Sequence, residues 1–202
     1  MIAILSCGFI YACAAACGII AAQLICARMS RLEDGPAPVK LHPSIPVALF
    51  AFVGIMLAGR GANIRELGLI ALLGIPLTGA WYSDAIKGLV PDVFTLIPLG
   101  VIGVTIIVQH AWGIATSVDV IFVAFAVSAW FSKGRGMGWG DAKLAALCAA
   151  VLGLPVGLLT LAAACFAATA FSVVRDRGTK PVAFAPFIVV CAFGAILFTV
   201  RV

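Results

Sequence analysis

Apolar residues run through this chain in long, unbroken stretches, with polar residues confined to the short breaks between them. The stretches fall at roughly 2–27, 45–59, 66–84, 93–109, 114–132, 142–154, 155–174 and 182–200. A bilayer-crossing helix needs about 20 mostly apolar residues, and a barrel would instead show alternating segments of about ten. The pattern therefore predicts an all-α polytopic transmembrane helix bundle of about eight helices, six to eight if the short runs do not all cross. The division near Gly153-Leu154-Pro155 matters most. Residues 142–174 are too many for one ordinary span, and glycine with proline predicts a turn there. A single long tilted helix would reverse the topology of everything after it.

Composition narrows the class. Of 202 residues, 64% are hydrophobic and 10% charged, against about 25% charged in a soluble domain. No polar stretch is long enough to enclose a second core, so residues 1–202 form one integral membrane domain. The N-terminus lacks the basic segment of a cleaved signal peptide. Leu5-Ser6-Cys7 resembles a lipoprotein cleavage box, but little hydrophobic chain precedes it, so the first helix is expected to be retained. All seven cysteines lie in apolar runs, without a Cys-x-x-Cys pair, and there are two histidines. Packing explains these cysteines, and no metal site is expected.

Charge then sets orientation. With the N-terminus outside, Arg28, Arg31, Lys40, Lys87, Lys133, Arg135, Lys143, Arg175, Arg177 and Lys180 fall on the inner side. Only Arg60, Arg65 and Arg201 fall outside. That asymmetry is what the positive-inside rule requires. The net charge of +5 is thus a topology signal, and no nucleic-acid partner is implied. The proline-rich inner loop at 28–46 is expected to be extended.

The chemistry gathers at Gly136-Met137-Gly138-Trp139-Gly140-Asp141-Ala142-Lys143-Leu144. Asp141 heads a new apolar run, in the first turn of a helix at a membrane boundary. An ionisable residue at that depth is functional by default, though a helix-capping role is the plain alternative. In the predicted topology Asp84 ends the third helix on the same side. Two carboxylates from different helices thus reach one depth. Held close together, such a pair keeps one proton, so one acid activates water while the other polarises a carbonyl. Amide hydrolysis needs those two roles and no cofactor. The other possibility is two unrelated boundary aspartates.

The surroundings of both residues resemble one family. Asp84-Ala85-Ile86-Lys87-Gly88-Leu89-Val90-Pro91-Asp92, followed by Thr95-Leu96-Ile97-Pro98-Leu99, is similar to the first catalytic segment of the bacterial prepilin peptidases, or type IV leader peptidases. Gly136 to Leu144 is similar to their second, Gly-x-Gly-Asp with a trailing x-Lys-Leu. Phe184-Ala185-Pro186-Phe187 is similar to a patch in their last helix. The resemblance covers about 66–200 and implies an intramembrane aspartyl peptidase with Asp84 and Asp141 as its catalytic pair. Gly138, Gly140, Lys143, Pro91, Asp92 and Pro186 are implied as motif or substrate-side positions. The implied substrates are prepilin or pseudopilin precursors, with a short basic leader ending in glycine before a hydrophobic helix that carries an early glutamate. The implied place is the cytoplasmic face of a bacterial inner membrane, where glycines beside Asp141 would let a substrate backbone approach.

Larger family members carry a four-cysteine zinc loop after the first helix and a Gly-Ser-Phe-Leu-Asn segment within that helix. This chain lacks the cysteine loop and keeps only an echo of the helix segment at Gly18 to Arg28, so it resembles a short form. Methyltransfer is therefore not part of the expectation, and S-adenosylmethionine would be needed only if that activity were retained. Among individual residues, Lys143 is expected to snorkel to headgroups or to meet a substrate glutamate or an aspartate partner. Asp92 is expected to cap the fourth helix or to tune the aspartate pair, and Trp81 and Tyr82 to anchor at the inner interface or line the site. Asp119, well inside the fifth run, needs a partner such as Gln109, His110 or hydroxyls of its own helix. Competing functions are a presenilin-like protease with another substrate, a small proton- or cation-coupled transporter using Asp84, Asp119 and Asp141, and a non-catalytic assembly subunit.

Overall fold

The computed structural model describes residues 2–29, 42–131, 138–176 and 182–199. Among these there are seven helices and no strand. They are α1 (Ile2–Met29), α2 (Ser44–Gly59), α3 (Ile64–Lys87), α4 (Leu96–Gln109), α5 (Trp112–Phe131), α6 (Trp139–Asp176) and α7 (Ala185–Thr199), and a 3-10 turn, Asp92–Phe94, leads into α4. Five helical stretches, at α1, α3, α4 with its leading turn, α5 and α6, are long and apolar enough to cross a membrane. The protein is a multi-pass membrane bundle. Most of the loop expected at 28–46 lies outside the described residues, as do Gly136, Met137 and the basic residues Arg31, Lys40, Lys133, Arg135, Arg177, Lys180 and Arg201.

Helix α6 carries the topology. A straight helix of 38 residues would be about 57 Å long, nearly twice the hydrocarbon thickness of about 30 Å. It is not straight. Gly153 has φ 73° and ψ 170°, which no helix contains, and Pro155 follows. A Cβ on Gly157 would stand 3.4 Å from the Cα of Ala149, whereas positions eight apart in one helix are about 12 Å apart. The chain therefore folds back at Gly153 into two antiparallel arms, 139–152 and 154–176. Seven helices thus give eight helical arms, with the turn where glycine and proline predicted it.

The remaining directions follow from specific contacts. Gly8 faces Ile55 and Gly54 faces Tyr11, so α1 and α2 are antiparallel. The Tyr11 hydroxyl donates to the Leu67 carbonyl and the Gln23 amide to the Tyr82 hydroxyl, so α1 and α3 run parallel. At the opposite end from the C-terminus of α3, the Arg60 guanidinium donates to the Leu197 carbonyl and joins the ends of α2 and α7. Tyr11, Phe50 and Phe193 stack with centroids 4.8 Å apart, tying α1, α2 and α7 into one core. Phe171 meets Phe187 at 5.6 Å, so α7 starts beside the returning end of α6. The C-terminus of α3, both ends of α6 and the start of α7 consequently share one end of the bundle.

Candidate active site

Four segments converge at that end. Helix α3 stops at Gly88, whose left-handed backbone (φ 65°, ψ 26°) directs its N–H to the Asp84 carbonyl. Pro91, extended at φ −61° and ψ 140°, then starts the 3-10 turn. Phe94 of that turn packs over Gly79 and returns the chain against α3. The first turn of α6 lies against this connection. A Cβ on Gly140 would fall 2.8 Å from the Cβ of Val90, so only glycine permits the contact. Glycine beside Asp141 was expected to admit a substrate backbone; the close approach it makes here is to Val90 of the same chain.

Asp84 and Asp141 are both buried, at 6% and 9% exposure, and their carboxylates lie within electrostatic reach of each other. Asp84 stands one turn inside the end of α3 rather than at its last residue. A negative charge there opposes the helix dipole, so its own helix gives no reason for it. Compensation comes from elsewhere. The Ala185 N–H donates to Asp84 Oδ2 at 2.9 Å, with the Phe184 backbone beside it. The start of α7 thus points its unsatisfied donors at the carboxylate. Pro186, next in that turn, has no N–H to contribute.

Asp141 is the third residue of α6, and its Oδ2 accepts the Gly138 N–H at 3.0 Å. That is the return half of a capping box, so Asp141 does stabilise its helix start, though not as the N-cap itself. One carboxylate oxygen of each aspartate is held by a backbone donor.

Lys143 forms an ion pair with Asp92. Of the roles open to this lysine, an aspartate partner is the one the structure displays. Asp92 was expected to cap the fourth helix. It does not, because the 3-10 turn begins after Pro91 and α4 after Thr95, neither with a side-chain cap. Trp81 and Tyr82 are buried, at 6% and 7% exposure, so interfacial anchoring is not their position. Asp119 gains none of the partners expected for it. The Thr116 and Ser117 hydroxyls donate to the Gly113 carbonyl instead. Among the described residues no three His, Cys, Asp or Glu side chains gather as a metal would need.

Two contributors escaped the sequence reading. The Ala185 N–H left no trace because a backbone donor has no side-chain signature, although the Phe184–Phe187 patch marked the right segment. Gln23, which ties α1 to Tyr82, was legible only as a polar residue in an apolar run.

The family model described as the type IV leader peptidase family matches residues 70–173, just over half of the chain and both aspartate segments. No curated protein matches, and no solved structure matches.

Proposed function

Since the chain belongs to the type IV leader peptidase family, and is a peptidase on that ground, we propose that it is an intramembrane aspartyl endopeptidase. It removes the short basic leader from type IV prepilin or pseudopilin precursors at the cytoplasmic face of a bacterial inner membrane. The observation that carries the reading is that Asp84 and Asp141, both buried, come within electrostatic reach of each other at one end of the bundle, on helices that reach it from opposite directions. One carboxylate takes a proton from water as the hydroxide equivalent attacks the scissile carbonyl. The other, protonated, donates to the carbonyl oxygen; as the C–N bond breaks, the proton taken from water passes to the departing amine and the one given to the carbonyl oxygen returns to its carboxylate. Which aspartate plays which part is a property of the pair.

The site's end of the bundle also carries Arg28, Lys87, Lys143 and Arg175, while Arg60 and Arg65 lie at the other. The positive-inside rule then supports a cytoplasmic active site. A basic leader stays in that zone while its hydrophobic helix enters the bilayer, which brings the bond between them to the level of the aspartates. A transport path would instead want Asp84 and Asp141 near the midplane rather than at one end of the bundle.

The test is to co-express the chain with a precursor carrying such a leader and to measure the intact mass of the product. The expected product begins at the residue after the leader's terminal glycine. An unprocessed precursor would sink the proposal.

A smaller effect is expected at Lys143 and Asp92. Asp92 keeps 61% side-chain exposure and Lys143 22%, so the pair adds no more than about 1 kcal/mol. Its part is to register α6 against the turn before α4. Asp92→Asn should slow cleavage severalfold, and the exchange Asp92→Lys with Lys143→Asp should recover most of that loss. An equal deficit in single and exchanged variants would mean that one side chain acts on substrate directly.

A further inference from the structure

Helix α4 packs loosely. Along one face, Val101, Val104, Ile107 and Val108 are exposed. Its other face, with Leu99, Gly103 and Ile106, looks across an open groove of about 360 Å³ at α5 and α6. The groove is apolar except at two places. Lys143, two residues past Asp141, lines its upper end, and Asp119 lines its deeper part. Among the described residues Asp119 makes no hydrogen bond and no ion pair, and it is not buried.

Packing fixes its depth. Ile121 of α5 packs at Gly157, which faces Ala149 across the α6 hairpin. Asp119 lies two residues further from the site, about ten residues below the level of Asp141, or roughly 15 Å. That is the middle of a hydrocarbon core of about 30 Å. A carboxylate open at that level needs a donor, and no side chain of the described residues supplies one. The groove's upper end reaches Lys143, in the opening turns of α6 at the depth of Asp141, and from there it follows the membrane normal with apolar walls and one acceptor halfway down.

We propose that this groove between α4, α5 and α6 receives the transmembrane helix of the substrate while its leader lies at Asp84 and Asp141, and that Asp119 accepts a hydrogen bond from a polar side chain about ten residues into that helix. The inference rests on the peptidase reading above for the identity of the occupant. Its support is that the groove's upper end, at Lys143, lies at the depth of Asp141 on the same helix, together with the unmet acceptor at Asp119. Asp119 is then a specificity-determining residue, which favours precursors with a serine, threonine or amide at that depth over all-aliphatic ones.

The test places a photo-crosslinking phenylalanine analogue at Gly103 or Phe122, in the groove, and at Val104 or Val108, on the opposite face of α4. Each is made in the full-length Asp84→Asn protein in bilayers, with the intact precursor present. Adducts are expected at the two groove positions, at least tenfold above those at the two controls. In parallel, the wild type and Asp119→Leu are compared on precursors differing only in a serine or leucine at the tenth helix position. The wild type should favour serine in KM, and Asp119→Leu should abolish or invert that preference with kcat little changed. Cleavage by the wild type without groove-selective adducts would overturn the docking site and leave the peptidase reading standing. Adducts with an unchanged preference would overturn the role of Asp119, and failure of the wild type to cleave any such precursor would overturn both readings.

Discussion

Asp84→Asn and Asp141→Asn should each lower leader removal below about 1% of the wild-type rate, the loss expected when one member of an acid–base pair is disabled. Asparagine is the informative replacement because of what it keeps. Its side-chain oxygen can still accept the Ala185 N–H at position 84 and the Gly138 N–H at position 141. Both helix termini therefore remain satisfied, and each variant should reach the membrane and unfold near the wild-type temperature. Alanine would be a poorer test, since an orphaned buried N–H costs about 1–3 kcal/mol by itself. The same substitution separates the two explanations of Asp141. In the return position of a capping box an amide side chain serves as well as a carboxylate, so a purely structural Asp141 predicts near-normal processing in Asp141→Asn. Processing within tenfold of wild type in either variant would sink the aspartyl mechanism.

The depth of each residue was legible in the sequence, and its direction around the helix was not. Depth follows from counting, because a spanning backbone must satisfy its own hydrogen bonds and so forms helices of bilayer length. That is why the helical runs, the break at Gly153 and the common level of Asp84 and Asp141 could be read directly. In a soluble helix the apolar stripe would also tell which side faces inward. In lipid both sides are apolar, and that guide fails. Trp81 and Tyr82 therefore looked like interfacial anchors but turn into the bundle. The pairing of Lys143 with Asp92, 51 positions apart, depends on how two helix starts are turned toward each other. Asp119 had the right depth for concern, yet nothing in its neighbours revealed that it would open onto a groove.

Gly153→Val should be the most damaging single change outside the two aspartates. At φ 73° and ψ 170° the backbone is in a region essentially reserved for glycine, and any side chain there costs about 1–3 kcal/mol. β-branching puts valine at the upper end. Nothing stands within 4 Å of the position, so the penalty belongs to the backbone alone and cannot be relieved by repacking a neighbour. Gly100→Ala is the matched control: its surroundings are equally open, and it lies in the regular helix α4. There alanine should be neutral or stabilise by a few tenths of a kcal/mol. Thermal unfolding in detergent should show a clear fall for Gly153→Val and none for Gly100→Ala. The consequence for function is larger than the stability figure. If α6 failed to reverse, the start of α7 would leave Asp84, the Ala185 donor would be lost, and the carboxylate would stand near a helix C-terminus with nothing to offset it. Folded yield and leader removal should therefore fall together, and normal activity in Gly153→Val would show that the bend does not hold the site together.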